Sequence, residues 1–256
     1  MHTGSVEVTV DEGVASLEFH HPKKNSLPGH LLRGLALEVD RLGREDRARV
    51  LVLRSRGEGP FCAGASFSEL ASITNPQEGK AFFMGFARLI LAMKRCPKFV
   101  IARVQGKAVG GGVGLVAAAD YALALESAAV KLSELALGIG PFVVGPCLER
   151  KLGAAAFAAL AIDTQWRDGA WARQHGLYDQ TFRNLTELDA ALKALVEKLS
   201  KGSPRAMAQL KSVFWEGTDH WEHLLEERAA RSGRLVVTDF ARDLIAAVAG
   251  GTRKRS

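Results

Sequence analysis

Glu134 is the single acid in KLSELALGIGPFVV, residues 131–144, a segment too apolar to be a solvated face. A carboxylate in such surroundings is either paired structurally or held with a raised pKa, and the second condition is what a general base near neutral pH requires. Two loops of small residues lie upstream. In GPFCAGASFSEL, residues 59–70, Ala63, Gly64 and Ala65 leave the backbone uncovered. A ligand oxygen can there approach a main-chain N–H, just before a helix that Ser66 or Ser68 is placed to cap. In AVGGGVGLVAAAD, residues 108–120, glycines open a helix and present amides with the positive end of its dipole behind them. That arrangement suits a developing negative charge. It also suits a pyrophosphate: Gly112, Gly114 and Ala117 satisfy the GxGxxA form of a dinucleotide fingerprint, with Glu134 about 20 residues on as a ribose ligand. Against the dinucleotide reading, that fingerprint belongs to the first βαβ unit of its fold, whereas two strands and two helices precede it here.

The elements that must position these residues follow from hydrophobic periodicity. Residues 6–10 and 14–19 alternate apolar and polar around the turn at 11–13, an opening hairpin. Residues 31–42 and 77–94 have helical spacing, and 50–54 and 99–104 are short apolar strands. The alternation of strand and helix predicts a largely parallel sheet with helical cover. Further strands are expected at 121–125 and near 130–132, each next to a loop of interest. From residue 146 onward the pattern is nearly all helical, at 146–161, 168–175, 186–200, 203–215, 219–233 and 238–249, interrupted by a strand at 180–183. A boundary is expected near KGSP, residues 201–204.

With 256 residues the chain can bury a substantial core without disulfides. Three cysteines without a CxxC pair fit a reducing compartment, so the cytoplasm is expected, and they argue against structural zinc. No apolar stretch approaches the roughly 20 residues that span a bilayer, and neither secretion nor membrane insertion is expected. The net charge of +6 is mild and suits an anionic ligand. The compact basic run RKR at 253–255 is the one feature that could favour nucleic acid, without zinc-finger spacing or an RNA-binding aromatic signature beside it.

Other residues weigh less. His220 and His223 sit three apart but lack a third ligand pattern, so no metal is expected. Trp166, Trp171, Trp215 and Trp221 fit a core or subunit interface better than a platform for bases. Cys62 lacks a histidine partner that would make it a nucleophile.

The ordered set HPKKNSL (21–27), FCAGASF (61–67), GKAVGGGVGLVAAAD (106–120), LSELALGIGPFVV (132–144) and ARQHGLYD (172–179) resembles the crotonase superfamily, the enoyl-CoA hydratase and isomerase family, over roughly residues 5–250. The resemblance implies an α/β fold, a spiral of repeated ββα units with a C-terminal helical trimerisation region. It divides the chain into an acyl-CoA-binding and catalytic core at 1–200 and a helical region at 201–256. The implied substrate is an acyl-CoA thioester, with no separate cofactor and no nucleic acid, in a homotrimer or hexamer. By the likeness the Ala65 and Gly111 N–H groups form an oxyanion hole, and Glu134 carries the proton. Ala63, Ser66 and Phe67 lie along the CoA adenine and pantetheine, and Lys23 and Lys24 near its phosphates, with His20, His21 and His30 by the entrance.

Departures from the family narrow the expected reaction. Hydratases of the family use two glutamates, and the first position, three residues past Gly111, is here Gly114. A single acid with GPFVV behind it looks more like an enoyl-CoA isomerase. Where some relatives carry an aspartate stands Phe142, which disfavours dehalogenase and naphthoate synthase chemistry. A family member that binds RNA or protein without catalysis is the non-enzymatic alternative.

Overall fold

The chain opens as a hairpin because Glu12 and Gly13 both take positive φ (45° and 84°), the twist a two-residue loop needs between antiparallel strands. In a computed structural model that describes residues 4–251, β1 (Ser5–Asp11) pairs with β2 (Val14–His20) through this turn. The RKR run at 253–255 lies outside the described residues. Every later pairing in the main sheet is parallel: β2 to β3 (Val50–Ser55), β3 to β4 (Val100–Val104), β4 to β6 (Tyr121–Leu125) and β6 to β8 (Gln180–Phe182). Parallel neighbours need helical crossovers. These are α1 (Gly29–Arg44), the single turn α2 (Phe67–Leu70) with α3 (Pro76–Arg95), and α4 (Gly111–Ala118).

A second, smaller layer runs beside the main sheet. β5 (Ala108–Val109) and β7 (Val130–Lys131) pair in parallel, and single bridges join Leu27 to Ala65 and Cys62 to Ala108. Each of β2, β3, β4 and β6 is thus followed by a short extended segment in this layer and then by a helix. This is the repeated ββα spiral that the motifs imply, and all three loops of chemical interest leave its small layer.

Helices complete the remainder: α5 (Gly145–Leu152), α6 (Ala154–Asp163), α7 (Gly169–Gln174), α8 (Leu185–Ser200), α9 (Pro204–Phe214), α10 (Trp221–Leu235) and α11 (Asp239–Gly251). The single helix expected at 146–161 is two, because Gly153 has φ 79° and turns the chain between α5 and α6. Leu51 and Leu53 face the main core under α1 and α3. Val50 and Val52 face the opposite side, where Leu192 and Val196 of α8 and Met207 of α9 cover the sheet. The C-terminal helices fold back on the core. α10 crosses α3 at Gly79 and Gly233, where a Cβ on Gly79 would lie 2.7 Å from the Gly233 Cα, so the backbones touch. Lys211 of α9 is sealed in the interior, its Nζ bonded to Asp120 Oδ2 (2.7 Å) and to the carbonyls of Met93 and Lys98 (2.8 and 2.9 Å). Among the described residues no helix is long and apolar enough to cross a membrane.

Candidate active site

The extended segment after β3 and the turn after β5 run side by side: the Val109 N–H donates to the Cys62 carbonyl at 2.9 Å. Gly64, at φ 87°, lies so near that a Cβ there would come 3.0 Å from the Val109 carbonyl oxygen. Gly110, at φ 52°, then turns the chain into α4. β7 delivers Ser133 and Glu134 to the same place, and a 3-10 turn at Leu135–Leu137 ends on left-handed Gly138. Ala65, Gly111 and Glu134, the three residues expected to be catalytic, all line one cavity of about 60 Å³. The Ala65 and Gly111 N–H groups donate to no acceptor among the described residues.

The Glu134 carboxylate rests against Gly110, where a Cβ would stand 2.8 Å from Oε1. Gly110 is therefore required twice over, for its left-handed φ and for the space it leaves. Glu134 as a whole is half-buried, yet its Oε2 is out of solvent and has no hydrogen-bond partner. Burial pushes its pKa up to about 7, against the smaller opposing pull of hydrogen bonds from the Glu134 and Ser133 backbone amides. A carboxylate at that value exchanges a proton readily near neutral pH.

Of the residues expected to hold CoA, Ala63 and Phe67 line the cavity. Lys23 and Lys24 are exposed on the adjoining loop, whose Lys24 carbonyl accepts from the Ala63 N–H at 3.1 Å. Ser66 is buried and does not line the cavity; its N–H donates to the Leu27 carbonyl and its Oγ lies 3.0 Å from Ser68 Oγ. Neither serine caps the following helix through its side chain, contrary to expectation, because the two hydroxyls bond each other and α2 is a single turn.

The loop at 21–27 is held by Asn25. Its Oδ1 accepts from the His21 N–H at 3.1 Å, and its Nδ2 donates to the carbonyls of Arg56 and Pro60 at 3.1 and 3.0 Å. His21 is buried with Nδ1 2.9 Å from Ser26 Oγ, and burial pushes its pKa down. The HPKKNSL run flagged this loop, but nothing in the spacing singled out Asn25 as its tie.

The dinucleotide reading does not survive the packing. A Cβ on Gly112 would stand 2.6 Å from the Cys62 Cβ, and one on Gly114 would stand 2.6 Å from the Val144 Cβ. These glycines make room for neighbours, not for a pyrophosphate, and the Glu134 carboxyl lies against Gly110 at the entrance of the helix where phosphate would have to sit. Cys62 is buried, its thiol pushed up to about 12 by burial, which leaves no thiolate for nucleophilic attack. Trp215 and Trp221 pack edge to face in the core, while Trp166 is largely exposed with Lys107 Nζ 5.0 Å from its ring centre.

Three cavity residues lie outside every motif singled out in the sequence: Phe83 and Phe86 of α3 and Ser232 of α10. Helical spacing marked the phenylalanines only as core. Phe86 covers Gly111, whose Cβ would fall 2.7 Å from the ring Cζ. Phe142 lines the same cavity and brings no acid to it.

The family model described as enoyl-CoA hydratase/isomerase matches residues 9–243. Over 245 residues the chain is 28% identical to a Bacillus subtilis protein named as a probable enoyl-CoA hydratase, a match covering 95% of each. It is 32% identical over 200 residues to the mitochondrial methylglutaconyl-CoA hydratase of Rattus norvegicus, spanning 77% of this chain and 63% of that protein. The crystal structure of an enoyl-CoA hydratase from Mycobacterium avium superposes with a TM-score of 0.83 at 28% identity, covering 96% of both chains. That of an enoyl-CoA hydratase from Bacillus halodurans superposes with a TM-score of 0.87, covering 94% of this chain and 99% of that one; at 21% identity that likeness concerns the fold.

Proposed function

Because this chain belongs to the enoyl-CoA hydratase/isomerase family and is an enzyme of that type, we propose that it migrates a carbon–carbon double bond along an acyl-CoA thioester, with Glu134 as the sole proton carrier. The observation that carries this reading is the filled space at Gly114. Val144 packs against it so closely that even a methyl group has no room, so no second acid reaches the cavity from there. The other polar side chains lining the cavity are Ser133 and Ser232, neither of which holds a water as a base.

The proposed steps balance. The Glu134 carboxylate takes a proton from the carbon next to the thioester carbonyl of a β,γ-unsaturated acyl-CoA. The electron pair of that C–H bond moves toward the carbonyl, whose oxygen becomes an enolate conjugated with the double bond. The Ala65 and Gly111 N–H groups donate to this oxygen, each worth on the order of 3 kcal/mol when preorganised in a dry site. The protonated Glu134 then returns its proton to the γ-carbon, which leaves an α,β double bond and restores the carbonyl. CoA enters as part of the substrate, and no other cofactor takes part. Ala63 and Phe67 line its path, with the exposed Lys23 and Lys24 beside them for its phosphates.

A panel of 2-enoyl- and 3-enoyl-CoAs, assayed for both double-bond migration and water addition, tests the reading. Migration is expected to dominate; water addition to a 2-enoyl-CoA at a comparable or greater rate would overturn it. The same proposal includes self-assembly as a trimer or hexamer, for which α6 offers an apolar surface with Ala155, Ala159 and Ile162 exposed. It also includes a cytoplasmic location, which suits the three buried free thiols.

A further inference from the structure

α1 begins without a cap of its own. Its N-cap is Pro28, which offers no side-chain acceptor, and no acid stands in its first turn. The buried Gly29 N–H donates instead to Glu69 Oε2 at 2.7 Å, from α2, 40 residues further along the chain. A carboxylate at that end both satisfies an open helix donor and meets the positive pole of the helix dipole. Glu69 is half-buried and does not line the cavity of Glu134, so any part it plays in the chemistry passes through other residues.

That bond closes a seam along the segment that carries Ala65. The Ala63 N–H donates to the Lys24 carbonyl at 3.1 Å, the Leu27 N–H to the Gly64 carbonyl at 2.8 Å, and the Ser66 N–H to the Leu27 carbonyl at 3.4 Å. These three bonds are made by backbone alone, whereas the last, at Gly29, depends on a side chain. The Gly64 carbonyl and the Ala65 N–H are opposite ends of one planar peptide. Holding the carbonyl against Leu27 therefore aims the N–H the other way, and both residues line the cavity. We propose that Glu69 is a positioning residue: by bonding the Gly29 N–H it holds residues 27–29 against 64–66, and so fixes the Ala65 N–H where the thioester oxygen gains charge. The inference rests on the acyl-CoA reading above and adds to it the group that keeps one of its two donors in line.

Enolisation of a bound thioester reads this donor without any turnover. Acetoacetyl-CoA can lose an α-proton but has no double bond to move, and the near-ultraviolet band of its enolate gives the enolisation midpoint by pH titration. Butanoyl-CoA reads the neutral carbonyl by calorimetry. Glu69→Gln and Glu69→Ala remove the same charge, but only glutamine keeps an oxygen for Gly29. Relative to Glu69→Gln, Glu69→Ala should enolise bound acetoacetyl-CoA about tenfold less, which raises the midpoint by about one pH unit, with butanoyl-CoA affinity unchanged. Gly29→Pro deletes the donor instead. Proline suits a first helical position, and Pro28, at φ −72° and ψ 161°, already has the conformation that a residue before proline takes. This variant should show the same rise relative to the unmodified protein. Equal midpoints in Glu69→Ala and Glu69→Gln, no rise in Gly29→Pro, or an equal loss of affinity for both thioesters would overturn the role of Glu69 and leave the acyl-CoA reading standing. Failure of both thioesters to bind the unmodified protein would overturn both.

Discussion

Asp120 and Glu134 are both carboxylates drawn into the interior, and they are used in opposite ways. Asp120 is saturated: its Oδ2 accepts from the Val100 N–H and Lys211 Nζ, both at 2.7 Å, and its Oδ1 from Trp215 Nε1 at 3.3 Å. Glu134 keeps one oxygen sealed from solvent with nothing bonded to it. Burial alone therefore does not mark a functional acid. The difference lies in compensation: a fully partnered carboxylate locks α9 and the sheet together, whereas one left short of partners binds a proton near neutral pH and can pass it on.

Removing each acid should separate the two roles. Glu134→Gln keeps the size and deletes the exchangeable proton. Turnover should fall on the order of a thousandfold, with acyl-CoA binding retained and Tm equal or higher; full activity by steady-state assay would end the contrast. Asp120→Ala should behave the other way. Lys211 would be left buried with only carbonyl partners, at a cost of about 3 kcal/mol in urea unfolding, while the protein that remains folded keeps its turnover. A loss of activity in Asp120→Ala without a loss of stability would erase the distinction.

A third variant probes why a second acid is missing near the first. Gly114→Ala adds a methyl group against Val144 and should cost about 2 kcal/mol by overpacking. Val144→Ala in the same chain should recover most of that loss, and a double-mutant cycle measures the coupling. Independent, additive effects would mean that Val144 does not fill the space.

What the sequence made legible follows a physical division between local and distant information. The hairpin, the parallel order of the sheet and most helix bounds follow from periodicity and turn residues that neighbour each other along the chain. The meeting of Ala65, Gly111 and Glu134 was expected from ordered motifs, each a short loop leaving the small layer. Ser232, the packing of Val144 on Gly114 and the Asp120–Lys211 pair were not legible, because each rests on a contact across the fold that carries no local signature. Gly153 shows the same limit at short range. In an alanine-rich helical stretch it reads as tolerable, yet its left-handed φ breaks the helix in two.

The smallest effect sharpens the contrast through pH. In the unfolded chain Glu134 titrates at the ordinary glutamate value of 4.5, and in the folded protein its pKa is about 7. The folded state consequently holds a proton that the unfolded state has released over that interval, so this group favours folding fully below about 4.5 and loses that contribution as pH rises through about 7. The Tm difference, Glu134→Gln minus unmodified protein, should therefore grow between those values and level off above them. In the same interval the turnover of the unmodified protein should climb as the carboxylate form accumulates. A Tm difference that is flat with pH, measured by calorimetry in buffers of matched ionic strength, would mean that Glu134 ionises in the folded protein as freely as in water, and its resemblance to Asp120 as a merely structural acid would return.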